Sequence, residues 1–295
     1  MASLLLAMVI ALAVSHTLPD LGRVRQFAWL AGWTRMLSGL FGAQRWWSGG
    51  FGASLVVGVP SLGLFGLAHA LEGVAFGLAS VALAVAALFY CWGPRDLALD
   101  VEAIAHAPDA ERRRTAVLIL APSQAESTLS GTALIDAVFR AGLARWFGVL
   151  LWFVILGPAG ALLYRTTLLV ARSASMADSA PSGMIAACER LARLLDWPAA
   201  HLMTLALAIA ADFDAVASAW RDWHANRADA AALDIGFLKA AARASVEADL
   251  EIDNEYVDDA RGPIAELQEA MTLVWRILLV WGVVFALFVL AGKIA

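Results

Sequence analysis

Five histidines, two cysteines, one acidic run and one arginine cluster are the places where this chain could do chemistry. His16, His69, His106, His201 and His224 are scattered, and no two stand three or four residues apart. A zinc site would therefore need side chains converging from distant segments. Cys91 closes an apolar run and Cys188 sits in a charged, helix-like stretch, a distribution that reads as two free thiols. In the run VEADLEIDNEYVDDA, residues 246–260, Asp249, Glu251, Asp253 and Glu255 alternate as at the start of a calcium loop. An EF-hand needs Gly at 254 and Glu at 260, but the chain has Asn254 and Ala260, so the run reads as a solvated acidic loop. Glu111-Arg112-Arg113-Arg114 could grip lipid phosphates, although a cluster this short is more simply a solvated face. No glycine-rich loop ends in Gly-Lys-Ser/Thr and no Gly-x-Ser-x-Gly elbow occurs. No cofactor or metal is expected, and no catalytic residue stands out.

The elements that must carry these residues are mostly apolar. Of 295 residues, 61% are hydrophobic and 16% charged, and the mean hydropathy is +0.72. That is the composition of an integral membrane protein. About 20 apolar residues cross a hydrocarbon core of about 30 Å. Measured so, the chain is all-α and polytopic, with about four to six spans near 1–16, 51–69, 73–92, 146–165, 198–215 and 274–292. The first reads as a short uncleaved span, because no Lys or Arg precedes it as in a signal peptide. Residues 51–92 read as a hairpin turning near 68–73, with Gly58, Gly63 and Gly66 on one arm and Gly73 and Gly77 on the other allowing close helix approach. A helix over 184–196 is expected to stop at Asp196-Trp197-Pro198. The apolar stretch after it is short, so it spans, re-enters or lies at the interface.

Net charge is −5, with no basic stripe for nucleic acid. The turn near 68–73 has no Lys or Arg, whereas Arg23, Arg25, Arg35 and Arg45 precede the hairpin and Arg95, Arg112, Arg113, Arg114, Arg140 and Arg145 follow it. Positive charge stays on the cytoplasmic side, so both flanking loops are assigned to the cytosol and the N-terminus to the outside. Residues 95–145 read as helical and soluble, with Leu97, Val101 and Ile104 at helix spacing. Arg276 opens the last apolar run and Lys293 closes it, and the Arg276 stem can extend to the membrane boundary.

The most informative stretch is GVLLWFVILGPAGALLYR, residues 148–165, a span interrupted by a helix breaker. Pro158 lacks an N–H and opposes the carbonyl four residues earlier, so the helix must kink near 154–157. The freed backbone groups must be met by protein or water, which puts the segment in the bundle interior, spanning or re-entrant. Gly157 and Gly160 are expected to permit close approach. Gly157, Pro158, Gly160, Tyr164 and Arg165, together with Arg276, are the candidate functional positions.

Three strings, RDLALDVEAIAHAPDAERRR, RWFGVLLWFVILGPAGALLYR and RLARLLDWPAAHLMTLALAIA, resemble in this order the CobD/CbiB-like membrane family. The resemblance covers most of the chain as a single domain, 1–295, and is weakest before about residue 90. It implies one of two branches, the adenosylcobinamide-phosphate synthases or AmpE, an inner-membrane modulator associated with β-lactamase induction. Where the synthase carries Glu-Asn-x-x-Asp-Gly and a later Pro, this chain has Arg140, Ala141, Ala144, Arg145 and Val149. The synthase's Glu-His-Pro and Pro-Asn-Ala-Gly-Trp-Pro motifs are also absent. Alanines cannot supply acid, base or metal-binding groups. The resemblance thus implies a non-enzymatic regulator of the bacterial inner membrane that contacts lipid and other membrane or cell-wall-recycling proteins. The alternatives are a diverged membrane enzyme and a binder of lipid or small molecules.

Overall fold

The computed structural model describes residues 7–8, 10–11, 26–93, 96–121, 130–226, 233–254 and 262–292. Most of the span expected near 1–16, with His16, Arg23, Arg25, Arg95, residues 255–260 and Lys293, lies outside them. The helices are α1 Ala28–Phe41, α2 Gly50–Ala70, α3 Leu78–Cys91, α4 Leu97–Ala105, α5 Ala110–Leu120, α6 Gly131–Gly142, α7 Gly148–Arg172, α8 Ala174–Ala177, α9 Ser182–Ala210, α10 Phe213–Ala225, α11 Gly236–Asn254 and α12 Pro263–Leu290. Among the described residues there is no strand, and the protein is all-α as expected. Among the described residues three stretches are long and apolar enough to cross a membrane: Gly50–Ala70, Gly131–Arg172 and Pro263–Phe288. The apolar segment near 73–92 forms only the 14-residue α3, about 21 Å at about 1.5 Å per residue.

The chain divides into two compact units, one of Met1–Pro94, Gly148–Leu195 and Phe288–Ala295, the other of Arg95–Phe147 and Asp196–Leu287. In the first, α2 and α3 both pack on α7. The turn between them passes Gly73 (φ 83°) and a 3-10 turn, Val74–Gly77, that ends at Gly77 (φ 84°). The expected glycine-mediated approach of α2 and α3 does not occur. Cβ atoms on Gly58, Gly63 or Gly66 would meet nothing within 4 Å, because this side of α2 is exposed, with Leu62 at 70% and Phe65 at 58%. Close approach falls instead at the base of α2, where a Cβ on Gly52 would collide with the Trp47 carbonyl and press on Met184.

Helix α7 carries the expected break, at Gly157 (φ 65°, ψ −154°). Beyond it the chain folds back on itself. A Cβ on Gly160 would collide with the Trp152 carbonyl oxygen, and one on Gly148 with the Tyr164 ring. In a straight helix those pairs would stand about 12 Å and about 24 Å apart along the axis, so residues 148–156 and 158–172 form the two arms of a tight hairpin. Its apex exposes Ile155 and Leu156, while Ala159, Ala161, Tyr164, Leu168 and Val170 in the second arm are buried. The segment is a hairpin rather than one straight rod.

In the second unit, helix starts are capped by short polar side chains: Asp96 accepts from Ala98 N, Asp109 from Arg112 N, Ser130 from Ala133 N and Asp212 from Ala215 N. Leu97, Val101 and Ile104 are buried along one face of α4, as their spacing predicts. A π-helical turn, Leu143–Phe147, follows α6. Helix α9 does not stop at Pro198; it runs on to Ala210. Proline removes one hydrogen bond to the Leu194 carbonyl. The buried stripe Ala192, Leu195, Ala199, Ala200, Met203 and Leu207 continues through it, and that packing outweighs one lost bond. The neighbouring Leu195 carbonyl also accepts the Trp152 indole N–H at 3.1 Å.

Candidate functional site

Five of the six candidate positions meet in the α7 hairpin. Tyr164 is fully buried and Arg165 is 6% exposed. The Arg165 guanidinium carbon lies 5.8 Å from the centroid of the Phe27 ring, a cation–π arrangement. Phe27 also packs on Tyr90 at 4.5 Å. Tyr90 accepts the Trp29 indole N–H at 2.8 Å and donates its own hydroxyl to the Gln26 carbonyl at 2.7 Å. The next residues of the arm are polar but satisfied within the helix: Thr166 donates to Leu162 O and Thr167 to Leu163 O. Gly160 makes the fold-back possible by close approach, as expected. Gly157 does not, since a Cβ there meets nothing within 4 Å; its role is the backbone conformation itself. A buried arginine in a membrane bundle is a default functional candidate, and this one is held by an aromatic face on a broken helix.

Arg276, in the other unit, does not stand alone at the start of the last apolar run. Its guanidinium pairs with Asp249 at 2.8 Å and Glu269 at 3.8 Å, and its side chain is 45% exposed. It belongs to a set of carboxylate–guanidinium pairs in that unit. Asp136 of α6 receives a two-pronged contact from Arg243 of α11, at 2.8 and 2.7 Å, with Lys239 at 3.7 Å. Asp100 of α4, its side chain only 2% exposed, pairs with Arg145 at 2.6 Å. Arg145 stands in the π-helical turn, whose extra residue re-aims side chains, and beside it Trp146 packs at a tilt against Trp275 at 5.0 Å. A groove of about 390 Å³ between α6, α11 and the start of α12 is lined by Thr132, Arg243, Glu247, Glu251 and Glu266. The Glu266 carboxylate rests on Gly131, at the first turn of α6, where the helix dipole favours an anion.

Sequence reasoning missed Asp100 and Asp136. The signal was present: Asp100 shares the face of Leu97, Val101 and Ile104, and Asp136 interrupts the apolar run Leu134-Ile135-Asp136-Ala137-Val138-Phe139. A carboxylate on a core face needs a partner. Nearby, Arg140 is half-buried, Ala141 is buried and Arg145 is paired. In the Glu111–Arg114 cluster, Arg112 makes an exposed contact to Asp109 at 3.6 Å, and the part-buried Arg113 donates to the Ala107 carbonyl at 3.5 Å. Cys91 and Cys188 are both free and buried. Among the described residues no three His, Cys, Asp or Glu side chains gather as metal ligands.

The fold and these constellations define an all-α membrane protein in which Asp100, Asp136 and Asp249 each pair with an arginine. No protein-family model, curated protein or solved structure matches the chain.

Proposed function

We propose that this chain is a non-enzymatic regulator of the bacterial inner membrane, of the AmpE kind, that modulates β-lactamase induction or reports the state of cell-wall recycling. It acts through contacts with lipid and with other membrane or recycling proteins, and its larger loops face the cytoplasm. The observation that carries this reading is what stands where the resembling synthases keep their acidic motif. Arg140, Ala141 and Ala144 offer no carboxylate there, and the next position, Arg145, is tied to Asp100 at 2.6 Å. A guanidinium locked to a buried carboxylate in a π-helical turn positions helices; it does not move protons.

Two experiments test the proposal. Deleting the gene changes inducible β-lactamase expression or growth under cell-wall stress; unchanged induction over a range of β-lactam concentrations, with no envelope phenotype, would count against it. The intact chain does not restore growth to a synthase-deficient, cobalamin-requiring strain, and restored growth would place it with the enzymes.

A further inference from the structure

Residues 196–210 of α9 have one face packed and one face bare. Ala199, Ala200, Met203, Ala206 and Leu207 are buried, whereas Trp197, Leu202, Leu205 and Ile209 are exposed at 39%, 43%, 59% and 65%. From Trp197 to Ile209 the axis is about 18 Å long at about 1.5 Å per residue, well short of a hydrocarbon core of about 30 Å. Polar groups bound the stripe at both ends: Arg190 and Arg193 are exposed in the preceding turns, and Asp212 and Asp214 just beyond. Phe213 and Trp220, exposed at 63% and 37% on one face of α10, continue the apolar surface.

The depth of this stretch is set through Gly142 of α6, against which both it and α12 place a side chain. Met203 and Val274 both lie against Gly142, with Met203 Cε at 3.7 Å and Val274 Cγ1 at 3.5 Å from where a Cβ on that glycine would stand. Val274 immediately precedes Trp275, which is 41% exposed, and the ion-paired Arg276. Before this point α12 carries Glu266, Gln268 and Glu269; after it the outward residues are Leu279, Val283 and Leu287, at 68%, 59% and 59% exposed. The water–lipid boundary on α12 therefore falls at Trp275–Arg276, the arrangement expected of an aromatic belt and a boundary arginine. The middle of the 196–210 stretch sits at that level.

A helix whose middle is at the boundary and whose two ends are polar can satisfy both only by lying flat. We infer that residues 196–210 of α9 form an in-plane docking surface for the bilayer, with Leu202, Leu205 and Ile209 inserted between lipid headgroups and acyl chains. The occupant is the lipid surface, at the level where the outward side of α12 turns apolar, and the inference does not depend on the regulatory reading. Interfacial helices of this kind insert an apolar face about 5–10 Å below the headgroup boundary.

The test uses the full chain in phospholipid vesicles, with Leu202→Cys, Leu205→Cys or Ile209→Cys each carrying an environment-sensitive nitrobenzoxadiazole label. Cys91 and Cys188, at 1% and 0% exposure, give the unlabelled baseline in the wild-type chain. All three labels should show blue-shifted emission, be quenched more by a lipid nitroxide placed near the headgroup than by one deep in the acyl chain, and report the same depth. Depth that increases steadily from 202 to 209, with the deep nitroxide dominant at 209, would mean a spanning or plunging helix and overturn the inference. Labels reached by aqueous iodide, or shielded from both iodide and lipid quenchers, would overturn it too, the last pointing to a protein cover. The same cysteines in native membranes, which need no purification, should react with a lipid-soluble maleimide and resist a charged one; the opposite preference would also overturn it.

Discussion

Gly157 is placed where only glycine is comfortable. With φ at 65° and ψ at −154°, it lies in a region that is nearly exclusive to glycine and costs other residues about 1–3 kcal/mol. Since a Cβ there meets open space, Gly157→Ala isolates the backbone cost: it should lower thermal stability in detergent by an amount in that range and reduce accumulation. Leu162→Ile, a near-isosteric change, should be tolerated. Equal stability of Gly157→Ala and wild type would remove the strain argument. Three turns from the apolar stripe of α9, burial pushes the Cys188 thiol up to about 11. A raised thiol pKa means the proton is kept, so the reactive thiolate is scarce near neutral pH. Cys188 should resist alkylation in the folded chain and react once it is unfolded.

Between helices, the sharper test concerns Asp100 and Arg145. Their side chains are 2% and 12% exposed, so Arg145→Ala strands a charge in the interior and should destabilise the unit by about 3–5 kcal/mol, whereas replacing both residues with apolar ones of similar volume should restore much of the loss. A double-mutant cycle on melting temperature checks this; additive effects would mean that the contact contributes little. The α7 hairpin admits a parallel experiment. Gly148→Ala forces a methyl into the Tyr164 ring, and a smaller residue at 164 should offset part of that damage, a coupling impossible if 148 and 164 lay about 24 Å apart on one rod. Much of this was legible beforehand. Uncharged apolar runs located α2 and the later part of α12, helix spacing located α4, and Pro158 located the break. What stayed hidden was the direction of the chain after the break, because a Gly-Pro pair shows that helical hydrogen bonding stops but not how far the second arm swings. Pro198 misled for the opposite reason: the same residue type in α9 costs one bond that a continuous buried stripe outweighs. Asp100 and Asp136 were overlooked because their arginine partners are 45 and 107 residues away in sequence, a separation that no local pattern reveals.

For the molecule as a whole, the open quantity is which side of the membrane each loop occupies, and charge is the guide to it. Helix α2, 21 residues long, extends about 31 Å at about 1.5 Å per residue, enough to cross the hydrocarbon core once. At its start Trp46 and Phe51 meet edge to face at 5.1 Å beside the exposed Arg45, an aromatic and basic edge typical of a membrane boundary. At its far end His69 and Glu72 form an exposed pair at 3.1 Å and no Lys or Arg follows until Arg95. Arginines are retained on the cytoplasmic side in proportion to their number in short loops, while acidic residues weigh little, so the net charge of −5 does not bear on the assignment. The 68–73 turn should accordingly face outward and the 100–115 region inward. In intact cells, a cysteine at 70–72 should react with a membrane-impermeant thiol reagent, and cysteines at the exposed positions Ala103 or Pro108 should react only after the membrane is permeabilised. The reverse pattern would invert the topology. Labelling of both sites in intact cells would instead place the arginine-rich 95–145 region on the outer side together with the turn, and the cytoplasmic contacts proposed for the regulator would then have no surface on which to form.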